Sequence, residues 1–146
     1  MTTKADFSEE EWDLVLEGPP SAGLIVSTAE RGGTFREAFS IAKAYAEARQ
    51  QHGESELLNE IVSAKPEVDR TRYGSMEELK EHHLTELRHA VALLEQKATA
   101  EEVDDYKGFV LAVAERVAGA KTEEGDQPAT DKERVAISEI AAAIGR

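Results

Sequence analysis

The sequence predicts an all-α protein: a compact bundle of about seven helices forming a single domain over residues 1–146. Three observations predict it. Apolar residues recur at three- and four-residue steps through the long segments, and no window alternates as a strand does. Ser or Thr is followed three residues later by Glu at Ser8/Glu11, Thr34/Glu37, Ser75/Glu78, Thr99/Glu102 and Thr130/Glu133. In such a capping box the hydroxyl accepts from an orphan N–H of the first turn, and the Glu reaches back to the N–H of the capping residue. Glycine and proline punctuate the intervals, at Gly18-Pro19-Pro20, Gly32-Gly33, Gly53 and Pro66.

The first helix opens at Ser8. Phe7 and Trp12 flank its start as a hydrophobic staple. It is expected to stop at Gly18-Pro19-Pro20, because a proline inside a helix lacks the N–H that the ladder needs. Proline is favoured at a helix start, so a second helix is read from about Pro20 to Glu30, with Leu24, Ile25, Val26 and Ala29 inward. The third starts at Thr34 and places Phe35, Ala38, Phe39, Ala42, Tyr45 and Ala46 on one face. A short fourth helix carries Leu57, Leu58, Ile61 and Val62, and "AKPEVDRTRYG" reads as a connection.

The fifth helix, Ser75 to about Lys97, carries the stripe Met76, Leu79, His83, Leu87, Ala90 and Leu94. The sixth, Thr99 to about Ala118, continues that seam with Val103, Tyr106, Val110, Val113 and Val117. The loop "GAKTEEGDQPA" leads to a seventh helix with Ile137, Ile140, Ala141 and Ile144.

Composition excludes several kinds of function. Thirty Asp and Glu against 17 Lys and Arg give a formal charge of -13. Such a surface repels phosphate backbones and anionic lipid heads, so nucleic acid and membrane insertion are not expected. Protein partners or divalent cations are. With no cysteine, disulfides, thiolate metal sites and thiol nucleophiles are absent. "MTTKADFSEEEW" has no apolar secretory core, and a cytoplasmic location is expected. No Ser stands in a Gly-x-Ser-x-Gly turn, and Gly32-Gly33 is not a phosphate loop.

An internal repeat is visible. "GLIVSTAER" (23–31) aligns with "GFVLAVAER" (108–116), and each is followed by a Gly-containing break and a capped helix. Glu37 then matches Glu133, and Ile41 matches Ile137. Duplicated helix-turn-helix units are the expectation, with halves of approximately 8–63 and 75–146.

This unit of apolar helix, acidic Gly turn and capped helix with an early Glu, together with the ending "ERVAISEIAAAIG", resembles the tellurite-resistance TerB-like family. The resemblance covers both halves and leaves residues 50–75 outside. It implies an all-helical duplicated fold, divalent-metal binding through clustered acids, and membership of stress-response complexes. By position it implies Glu30, Glu37, Glu115 and Glu133 as the metal set. Oxygen-rich ligands of this kind suit calcium or magnesium. The residues also allow a purely structural account: capping explains Glu37 and Glu133, and Arg31 and Arg116 stand ready to pair with Glu30 and Glu115.

Two further clusters carry weaker signals. Glu123, Glu124, Asp126 and Asp131 surround Gly125, but without the alternate spacing of an EF-hand, and read as a solvated loop. His82, Glu86 and His89 share one helical face, and Glu86-x-x-His89 has the spacing of di-iron bundles. Such sites need a second Glu-x-x-His, which the chain lacks. The expectation is a non-enzymatic TerB-like acidic domain, a weak divalent-metal module or stress-response scaffold. The alternatives are a carboxylate/histidine bundle metalloenzyme and a protein-interaction domain without metal.

Overall fold

The computed structural model describes residues 3–28, 34–50, 56–64, 74–118 and 131–146. Among these residues a 3-10 turn (Lys4–Asp6) is followed by six α-helices: α1 (Glu9–Thr28), α2 (Thr34–Gln50), α3 (Glu56–Ser63), α4 (Met76–Lys97), α5 (Ala100–Ala118) and α6 (Asp131–Ile144). The described residues contain no strand.

The difference from the expected seven lies at Gly18-Pro19-Pro20, where α1 continues instead of stopping. Pro19 and Pro20 cannot donate to the carbonyls of Val15 and Leu16 one turn back. For Val15 the missing donor is replaced from outside the helix: the Tyr106 hydroxyl of α5 donates to its carbonyl at 2.7 Å. Gly18 makes this approach feasible. A Cβ there would overlap the Tyr106 hydroxyl oxygen and lie 3.0 Å from its Cζ. Lacking that Cβ, Gly18 also escapes part of the clash that disfavours helical backbone before proline.

α1 forms the axis of the bundle, packing on α4 and α5 and also touching α2 and α6. Point contacts fix the directions. The start of α1 meets the end of α4, where Lys97 reaches Glu11, and farther along α1 Ser21 meets His83, so these two helices run antiparallel. Gly18 faces Tyr106 and Gly23 faces Val117, so α1 and α5 run parallel.

The expected α5 seam is buried in full: Val103, Tyr106, Val110, Val113 and Val117. So are the four apolar residues of α3, and His83, Leu87, Ala90 and Leu94 of α4. Burial on this scale, at roughly 25 cal/mol per Å² of apolar surface, is the main force holding the helices together.

The face of α2 differs from the reading. Ala42 and Ala46 are exposed, and Ile41, Ala44, Tyr45 and Ala48 are buried. The large side chains decide the rotation. Ile41 packs over Gly23, where a Cβ would lie 2.7 Å from its Cδ1, and Tyr45 meets Phe109 edge-on at 5.0 Å. An alanine buries too little surface to compete with these contacts. The side chains of Phe35, Ala38 and Phe39 lie outside the described set.

The caps follow local chemistry. At Ser8 the Glu11 N–H donates to Ser8 Oγ (3.2 Å), and the Ser8 N–H donates to Glu11 Oε1 (2.8 Å). Thr99 and Glu102 repeat the pattern at 3.2 and 2.9 Å. At α4 Ser75 accepts from the Glu78 N–H, but the Glu78 carboxylate takes the Gly74 N–H in place of that of Ser75. The Thr34 side chain and Thr130 lie outside the described residues. The staple is formed, with the Phe7 and Trp12 rings 5.6 Å apart. Lys97 closes over it, donating to the Asp6 carbonyl (3.0 Å) and Glu11 Oε1 (3.1 Å), with its Nζ 5.6 Å from the Phe7 ring centre.

Two predictions follow from these helix starts. Thr99→Ala is expected to lower stability by about 1 kcal/mol in urea denaturation, and an unchanged midpoint would remove the cap from the account. The second concerns acid. The Ser8 N–H first, then Lys97, hold the Glu11 carboxyl below its ordinary value of 4.5. A lowered folded-state pKa gives stability that is present above pH 4.5 and lost as pH falls through the folded value. The stability gap between the wild type and Glu11→Gln should therefore shrink below that pH. A gap that stays constant with pH in denaturation series would contradict it.

Candidate functional site

The residues that the sequence proposes for metal divide between described and undescribed positions. Glu30 lies outside the described residues, and of Glu37 only the helical backbone, near the start of α2, is described. Glu115 is exposed on α5, and Glu133 is buried in the first turn of α6. Arg116 does not serve its neighbour Glu115. It reaches across to α2 and pairs with Glu47 at 2.7 Å. Of the acidic loop, only Asp131 is described, exposed at the start of α6.

The histidine face of α4 is open to solvent. His82 Nε2 stands 3.9 Å from Glu86 Oε1, and His89 is exposed farther along. Among the described residues no group of three or more His, Cys, Asp or Glu side chains is placed to hold a metal ion. The described members of the two proposed sets therefore do not by themselves make a metal centre.

His83 points the other way, into the core, at 3% exposure. Its Nδ1 shares a hydrogen bond of 3.0 Å with Ser21 Oγ, which is also buried. A hydroxyl at this distance from an imidazole has the geometry of a nucleophile and its base. Both groups are sealed inside the bundle, so the geometry serves packing: it ties the turn after the prolines to α4. The position of His83 on an apolar stripe signalled burial in the sequence. Ser21 gave no such signal, because a serine after two prolines reads as part of a break.

An open groove lies between the start of α1 and α3, lined by Lys4, Trp12, Glu56, Asn59, Glu60 and Ser63. The Lys4 N–H donates to Glu60 Oε2 at 2.6 Å across it. Two carboxylates against one lysine leave its lining mildly negative.

The chain was compared with protein-family models, curated proteins and solved structures, and none of them matches it.

The buried pair gives a prediction. Ser21→Ala removes the Ser21 partner of a buried imidazole and is expected to cost about 1–3 kcal/mol. Replacing both groups, with Ser21→Ala and His83→Leu, should recover much of that loss, because both partners of this hydrogen bond are then gone. Equal losses in the single and double variants, by denaturant midpoint, would show that the hydrogen bond is not what the site depends on.

Proposed function

We propose that this chain is a TerB-like, internally duplicated acidic module that acts by binding and not by catalysis. Its halves are approximately 8–63 and 75–146. Its role is that of a stress-response scaffold whose surface meets a basic protein partner or a divalent cation.

Charge carries the reading. The acidic excess faces solvent: Glu9, Glu10 and Asp13 on α1, Glu77 and Glu81 on α4, and Glu101 on α5 are all exposed. A field of one sign concentrates cations and basic partners near the surface and speeds their encounter. The duplication draws on order along the chain. Residues 23–28 lie in α1 and residues 108–116 in α5, and each stretch is followed by a helix with Glu37 or Glu133 near its start. This reading puts calcium or magnesium at Glu30 with Glu37 and at Glu115 with Glu133.

Calorimetric titration of the wild type beside a Glu30→Gln, Glu115→Gln double variant tests it, with calcium, magnesium and zinc run in parallel. The expected result is heat with calcium or magnesium that weakens in the double variant. It should come with a higher thermal midpoint for the loaded wild type, since an ion held only by the folded state shifts the equilibrium toward it. No heat beyond dilution, or equal affinity in both proteins, leaves these glutamates with a structural role alone. Heat with zinc alone, lost on His82→Ala, would move the site to the imidazoles and favour a metalloenzyme.

A further inference from the structure

We infer that α1 is a two-part helix hinged at Gly18-Pro19-Pro20, and that the Tyr106 hydroxyl of α5 is the latch that keeps the hinge closed. Two adjacent prolines remove two adjacent rungs of the helical ladder, those that would end on the Val15 and Leu16 carbonyls. Backbone continuity between Glu9–Glu17 and Ser21–Thr28 is weakest at this point.

Each side of the hinge is held by different partners. Before it, the Phe7–Trp12 staple and the Lys97–Glu11 pair fix the start of α1 to the end of α4. At the hinge, Tyr106 donates to Val15 at 2.7 Å. Beyond it, Ser21 bonds His83 of α4, and Gly23 receives Ile41 of α2 and Val117 of α5.

The latch is built to stay engaged. Tyr106 is fully buried, and burial first, then the charges of Tyr45 and Glu17, push its hydroxyl well above 10. It therefore remains a donor at neutral pH. Its space exists only because position 18 has no Cβ. Opening the latch releases the Val15 carbonyl and loosens α1 beside the prolines, while its start stays fixed by the staple and Lys97 and its far part by Ser21–His83 and the contacts at Gly23.

Hydrogen exchange of the whole chain under native conditions tests the device. Tyr106→Phe keeps the ring and removes only the donor. It is expected to raise exchange about tenfold in residues 15–24, with little change in residues 9–13 or in α6. Pro19→Ala returns an N–H to the ladder, so on that background the same substitution should have a much smaller effect. Gly18→Ala pushes the hydroxyl away from Val15 and should loosen the same segment. Its effect and that of Tyr106→Phe should be less than additive, since both open one latch. A uniform rise across all helices, no rise in residues 15–24, or an undiminished effect on the Pro19→Ala background would each overturn the proposal. If Tyr106→Phe does not fold, the Gly18→Ala variant decides by the same segment-selective pattern.

Discussion

The Val15 carbonyl has no amide to accept from inside its own helix, because position 19 is proline, and the donor that completes it stands on α5. A buried carbonyl without a partner costs on the order of 1–3 kcal/mol, a large share of a small domain's stability. That cost constrains the neighbourhood. α5 must run beside α1 at hydroxyl distance, Tyr106 must be at that level, and position 18 must be glycine to admit it. Once this contact is set, the parallel course of the two helices brings Val117 to Gly23. On the same α5 face, Phe109 meets Tyr45 of α2. The seam that the sequence shows as a row of valines with one tyrosine thus has a polar point that fixes its register. Apolar contacts alone are tolerant of sliding, and a hydrogen bond is not.

What could be read from the sequence was what depends on near neighbours. Capping boxes need residues three apart, and those at Ser8 and Thr99 are present as written. The staple at Phe7 and Trp12 is equally local. Stripes on α3, α4 and α5 follow from periodicity, because each carries enough large apolar residues to define its face. On α2 the pattern was ambiguous. Alanines fill several phases of the helix, and its orientation is chosen by Ile41 and Tyr45, whose partners Gly23 and Phe109 lie far away in sequence. The prolines show the same limit. Proline does remove the rung as the local rule says, but whether the helix then ends is decided by a hydroxyl on another helix.

The candidate site was less legible for the same reason. Glu115 and Arg116 are adjacent in sequence, which invited a pair, yet neighbours on a helix point about 100° apart. Arg116 finds Glu47 on α2 instead. The Ser21–His83 bond joins residues whose closeness only the antiparallel packing of α1 on α4 creates. Polar partnerships between helices depend on distance in space, and periodicity reports only the face on which each residue stands.

Charge is the property that the fold does least to resolve. The bundle ties several of its cations into specific pairs: Lys80 with Glu139, Lys97 with Glu11, Arg116 with Glu47 and Arg146 with Asp104. Seventeen basic side chains cannot match thirty acidic ones, whatever the arrangement. The remaining repulsion acts against compactness and is relieved by screening ions or by a positively charged partner. Exposed ion pairs contribute little stability, so neutralising the surface would not have required a different fold. An acidic surface over a core whose burial is mostly apolar is therefore free to vary without loss of the bundle. That freedom separates charge from fold: the core requires Tyr106, Gly18 and the valine seam, and nothing in the core requires a net charge of -13.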